Sequence, residues 1–254
     1  MAMRLFIAGL VMLTAGSARA EHAHGMHHGD DAEHVFGAGI AMVAASFDTM
    51  LYGGNYQGLL PSLHWSRGRF AAGASTGLYR IEENGARIYG LGDVMFHGQV
   101  TLVGGHAARA GVVAMVSAPT GDDLHGLGMG HAMVMPAAFG MWTIERVALS
   151  ATAGYSRAMG GDTDHDHGLW PIVDPMNMQE LTWTTGGDVA ITPKVSSGVR
   201  LAGGIPIGNG DQRLIGALRV GWASGRFATG AEVQAGFIGD PFHLRGVVST
   251  ALSF

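Results

Sequence analysis

The histidines are the first residues whose types and spacing could do chemistry. Five of the 13 crowd one short segment, as His22, His24, His27, His28 and His34, interleaved with Asp30, Asp31 and Glu33. Imidazoles packed that closely, with carboxylates between them, chelate borderline cations such as Cu²⁺ or Zn²⁺. A second run, Asp162, Asp164, His165, Asp166 and His167, is followed by Met176 and Met178. An extended loop would put its carboxylates on one side and its imidazoles on the other, though a flexible one could wrap both around one ion. Neither run has the fixed spacing of a closed structural zinc site. The plainer reading is two solvated polar segments, so Cu or Zn ions are candidate ligands here and not required cofactors.

Catalytic patterns are weaker. Gly73-Ala74-Ser75-Thr76-Gly77 matches the Gly-x-Ser-x-Gly elbow. That elbow needs a strand-to-helix turn to expose its serine. Here it falls within alternating sequence with no helical pattern after it. No matched Ser and His share a strand face either, so no enzyme is expected.

The elements that must carry these residues are strands. The chain opens with Arg4, a compact apolar run from Leu5 to Thr14, and Ala18-Arg19-Ala20. That is the layout of a cleaved signal peptide over residues 1–20, too short in its apolar part to anchor as a helix. Its removal takes away two of the 15 basic residues and leaves 20 acidic ones, a balance that argues against a nucleic-acid partner. Residues 21–34 lack periodicity and apolar content, so a disordered tail is expected. Cysteine is absent. In an exported protein stability must then come from sheet closure or lipid rather than disulfides.

From Val35 to Phe254 apolar, small and polar residues alternate, the period of a β-strand. The spacing predicts strands over Val35–Phe47, Gly58–Trp65, Arg69–Tyr79, Arg87–Val103, Arg109–Ala118 and His131–Trp142. It predicts six more over Arg146–Arg157, Glu180–Thr192, Val195–Ile205, Asp211–Ala223, Arg226–Ile238 and Phe242–Phe254. Most reach the 9–11 residues that a tilted membrane strand needs. Glycine, 42 of 254 residues, lies between apolar and aromatic neighbours rather than in polar tracts. Joins alternate between tight ones, such as Pro193-Lys194 and Ser224-Gly225, and long ones, such as Pro119–Gly130 and Ala158–Gln179. Short turns on one side and long loops on the other mark outer-membrane barrels.

The expected architecture is therefore all-β: one antiparallel transmembrane β-barrel of about 12 strands over residues 35–254. Its expected place is the bacterial outer membrane, with the amino terminus in the periplasm. Phe242, Leu244, Val248, Leu252 and Phe254 alternate with His243, Arg245, Ser249 and Ser253. This strand, ending on an aromatic, resembles the signal read by the barrel-assembly machinery. If each greasy face meets lipid, then Asp93, His97, Gln99, Asp188, Arg200, Arg219, Glu232, Gln234, His243 and Arg245 point inward. They would form either a solute path or an ion-paired plug. Pro119 ends a strand, and Thr120, Gly121, Asp122, Gly126, Gly128 and Gly130 suit a turning loop that could fold inward as a constriction.

Gly90-Leu91-Gly92-Asp93, Pro119-Thr120-Gly121-Asp122 and Gly126-Leu127-Gly128-Met129-Gly130 resemble the spine of the outer-membrane family named for the meta-pathway of phenol degradation. More remotely, the chain resembles the FadL-type hydrophobic-solute channels. The likeness spans Gly90 to Trp142, and Met129 and His131 depart from it. It implies a channel-like barrel. The function expected is passage or binding of small molecules, without catalysis, in contact with membrane lipid and solute. The alternative is a metal-associated barrel that gathers Cu or Zn ions at its His, Asp and Met segments.

Overall fold

The computed structural model describes residues 34–48, 53–105, 107–160, 177–239 and 242–254. The expected signal segment, most of the histidine-rich tail and the whole run from Asp162 to His167 lie outside them. Fourteen strand segments form one antiparallel sheet that closes on itself, because β1 (Val35–Asp48) pairs with both β14 (Phe242–Ser253) and β2 (Gly53–Arg67). Phe36 and Phe254 exchange backbone hydrogen bonds of 3.0 and 2.8 Å at the seam.

Twelve barrel strands contain these fourteen segments. β3 (Phe70–Ser75) and β4 (Leu78–Glu83) both pair with β2 in one continuous register and are halves of one strand. β5 (Ala86–Leu91) and β6 (Val94–Gly104) lie beside those halves and make the next. β7 (Ala108–Ala118), β8 (Ala132–Ile144), β9 (Val147–Met159) and β10 (Gln179–Ala190) follow in order. β11 (Val195–Pro206), β12 (Arg213–Ser224) and β13 (Phe227–Ile238) complete the ring to β14. The break between β3 and β4 lies opposite Pro61, which has no N–H to donate across the ladder.

Two differences from the expected strands have local causes. β2 starts at Gly53 rather than Gly58, and β4 and β5 run on to a two-residue turn at Asn84 and Gly85, both with positive φ. Asn-Gly is the favoured pair for that hairpin turn and was a legible signal. The same strand ends turn Asn55, Gln57, Arg80 and Glu82 outward, where Arg80 hydrogen-bonds Asn55, Gln57 and Glu82. A polar outward face belongs above a hydrocarbon layer, so these strands project past it.

Below that rim the outer surface is apolar. Leu59, Leu63, Phe96, Leu181, Val199, Leu218, Val233, Leu244 and Val248 are all exposed and alternate with enclosed neighbours. Leu218, at 67% exposure, stands in the middle of β12. Leu218→Arg is expected to cost about 2–4 kcal/mol of folding stability in bilayers, read by urea titration of the liposome-inserted protein. Thr143→Arg, at the exposed end of β8 beside the β8–β9 turn, should change it by less than about 0.5 kcal/mol. Equal costs would remove the lipid belt.

Candidate functional site

Asp93 organises one end of the interior. Between β4–β5 and β3–β6 the pairing slips by one residue, and Asp93 is the residue left over. A bulge frees a side chain from the in-out alternation and re-aims it. The Asp93 carboxylate accepts the backbone N–H groups of Thr120 at 3.0 Å and Gly121 at 2.8 Å on Oδ1, and of Met129 at 2.9 Å on Oδ2. Thr120 Oγ1 returns a bond by accepting from Val94 N–H at 2.8 Å. Three bonds to one ionised acceptor hold both ends of the loop after β7 against the wall.

The loop between those anchors turns inward. Leu127 is buried among Val43, Phe47, Tyr56, Leu60, Ile81, Ile215 and Phe242, which line the inner face of β1, β2, β4, β12 and β14. Gly90 and Gly128 are where the fit is closest. A Cβ on Gly90 would strike the Leu127 side chain, and one on Gly128 would meet Asp93 Oδ1 at 2.8 Å. Gly126, at φ 71°, caps the single 3-10 turn Asp123–His125 that reverses the loop. Pro119, Thr120 and Asp122 are exposed.

Alongside this apolar wall, β10 to β14 carry a ladder of inward polar groups. Arg219 pairs with Asp188 through Nε at 2.7 Å and through Nη2. Arg200 pairs with Glu232, and Gln234 Nε2 donates to the same Glu232 oxygen. Arg245 Nε donates to Gln234 Oε1 at 2.6 Å, and its Nη1 donates to the Tyr56 hydroxyl at 3.3 Å. Near the long-loop end Arg213 pairs with Glu180, which also accepts from Asn177 at 2.7 Å. Glu180, Arg213 and Asn177 were not among the inward residues expected from the sequence, although Glu180 and Thr182 alternate cleanly with Leu181.

His97 and Gln99 face the interior from β6 on the same side as Met95. His243 does not. Phe47 pairs with Phe242 and Ser46 with Leu244, so His243 is the extra residue of a bulge and stays exposed. The slip also turns Phe242 inward, where alternation from Leu244 placed it on the lipid side. A further inner wall was not anticipated: Met95, Val113, Met115, Met133, Met135 and Phe139 pack together inside β6, β7 and β8. Here an apolar face meets the interior while Pro136 and Trp142 face out.

Of the metal candidates only His34 is described, and its Nδ1 accepts the Trp65 indole N–H at 3.0 Å. Among the described residues no three His, Asp or Glu side chains gather as a metal site would require.

Two changes test this geometry. Asp93→Ala removes the carboxylate that accepts three hydrogen bonds, and amide exchange at Thr120, Gly121 and Met129 should speed up by about 100-fold. Asp93→Asn, which keeps one carbonyl acceptor, should fall between; unchanged exchange in both would show that the loop is held otherwise. Glu232→Ala leaves Arg200 buried without its carboxylate and should cost about 3–5 kcal/mol in a folding titration.

No family model and no curated protein sequence matches the chain. Solved structures match it by shape. An outer-membrane channel from Pseudomonas putida F1 superposes with a TM-score of 0.66 at 11% identity, over 91% of this chain and 100% of that one. The KdgM porin gives 0.55 at 11% identity, over 85% and 99%. The translocator domain of the autotransporter NalP from Neisseria meningitidis gives 0.51 at 12% identity, over 98% and 97%. A channel, a porin and a protein translocator share this shape, so the likeness establishes an outer-membrane barrel fold and leaves function to the interior.

Proposed function

We propose that this barrel binds or passes small molecules across the outer membrane without chemical conversion. The observation that carries the reading is the unlike character of its two inner walls. One is apolar, from Val43 and Tyr56 round to Met135. The other is the hydrogen-bonded ladder of Asp188, Arg219, Arg200, Glu232, Gln234 and Arg245. A barrel built only for rigidity has no need to keep several arginines and acids inside, since matched apolar packing is at least as stabilising. A lumen that meets solute does.

In this reading the ladder, with His97 and Gln99 toward the tight-turn end, is the solute path. The loop from Pro119 to Gly130 is the constriction. Leu127 is its inward plug, and Asp93 is the clamp that keeps it there. The long loops face outward, the amino terminus lies in the periplasm, and the strand ending at Phe254 meets the assembly machinery. The motifs about Gly90–Asp93, Pro119–Asp122 and Gly126–Gly130 resemble those of the phenol meta-pathway family, and that resemblance implies the same role. Their glycines stand where the inward loop fits closest.

Proteoliposome swelling tests the proposal. Purified wild type should admit small uncharged solutes, and Leu127→Ala should raise the swelling rate without loss of heat-modifiable migration on gels. A barrel that admits no solute, with Leu127→Ala equally closed, would be a plug rather than a channel.

A further inference from the structure

We infer that Arg245 anchors the carboxylate of a small amphipathic anion in the long-loop half of the lumen. This names a ligand class for the solute-binding reading above and rests on it.

Arg245 is only 1% exposed, yet among the described residues no carboxylate pairs with it. Two of its nitrogens go to neutral partners, the Gln234 carbonyl and the Tyr56 hydroxyl. The third, Nη2, is buried with no protein acceptor. The Phe242 ring lies 4.2 Å from its guanidinium carbon. Cation–π attraction offsets part of the desolvation cost but supplies no counter-charge. The nearest acid in the network, Glu232, is reached only through Gln234, and it already pairs with Arg200. Two buried guanidinium groups therefore share one carboxylate. Arg200 Nη1 is likewise buried without a protein acceptor. Glu83, also buried, is two residues beyond Ile81 at the long-loop rim and forms no salt bridge with Arg245.

An unmatched buried cation is costly, several kcal/mol by the usual measure, so a structural barrel would be expected to shed it. A binding site keeps it because the ligand completes the pair. A carboxylate oxygen at Nη2 would supply the acceptor and the counter-charge that Arg245 lacks. The neighbouring surface is apolar: Phe242, Ile81, Leu127 and the Tyr79 ring, which stands edge-on to Tyr56 at 6.2 Å. A bare halide would leave that surface unused, and a hydrocarbon would leave Nη2 unmatched. A short chain with one anionic end uses both.

Titration calorimetry on the detergent-solubilised barrel tests this, with hexanoate, hexanamide and chloride as probes. Hexanoate should bind, and both hexanamide and chloride should bind about 10- to 100-fold more weakly. Arg245→Gln should weaken hexanoate by a similar factor, while Arg245→Lys, which keeps the charge, should fall between. If neither variant folds, the ranking of the three probes on wild type decides. Equal affinity for hexanoate and hexanamide, or for hexanoate and chloride, overturns the inference, as does full binding by Arg245→Gln. Binding without swelling would keep this site and remove the channel. Swelling with no preference for hexanoate would do the reverse.

Discussion

A sheet that crosses hydrocarbon can leave no backbone N–H or C=O without a partner, because no water is there to take it. β1 meets that constraint by pairing along one edge with β2 and along the other with β14, in near-complete register on both sides. Every other strand pairs with its neighbours in sequence, so the ring closes with only hairpins and loops as joins. Once closed, each residue can face only lipid or lumen, and the two-residue alternation becomes a rule for the whole wall.

Departures from the ladder are therefore where the barrel can do something other than enclose space. The slip at Asp93 turns a carboxylate away from the wall and onto three loop amides. The slip at His243 swings Phe242 inward under the Arg245 guanidinium. Both bulges lie on the half of the barrel nearer the long loops. Their consequences meet there, since Leu127, held by the first, and Phe242, turned by the second, belong to one apolar cluster.

The strand rhythm was open to reading from sequence, and so were most of the inward polar groups. Thr182, Thr184 and Asp188 alternate with Leu181, Trp183 and Val189, and one face is unmistakably wet. Where both faces are apolar the rule that grease faces lipid has nothing to choose between. That is the case in β7 and β8, where Val113, Met115, Met133 and Met135 go inward while Val112, Val116 and Trp142 go outward. A one-residue slip is equally silent, because nothing in Asp93 or His243 as residue types announces a bulge. The fold thus follows from the average pattern along the chain, whereas the site depends on single positions at which that pattern fails.

The division of the interior has a consequence for how selectivity can arise. With the inward ion pairs on β10–β14 and most of the inward apolar side chains on the remaining wall, a solute in the proposed path would meet unlike surfaces at once. A fully polar pore discriminates by charge and radius, and a fully apolar one by hydrophobic contact. In the proposed path both would apply, and the Asp93-held loop adds Leu127 to the apolar side. Discrimination then falls on the distribution of polarity within a solute, which neither wall could read alone. Under the proposed function, the Asp93 bulge, which holds Leu127 in the apolar cluster, then bears on recognition more directly than the number of strands does.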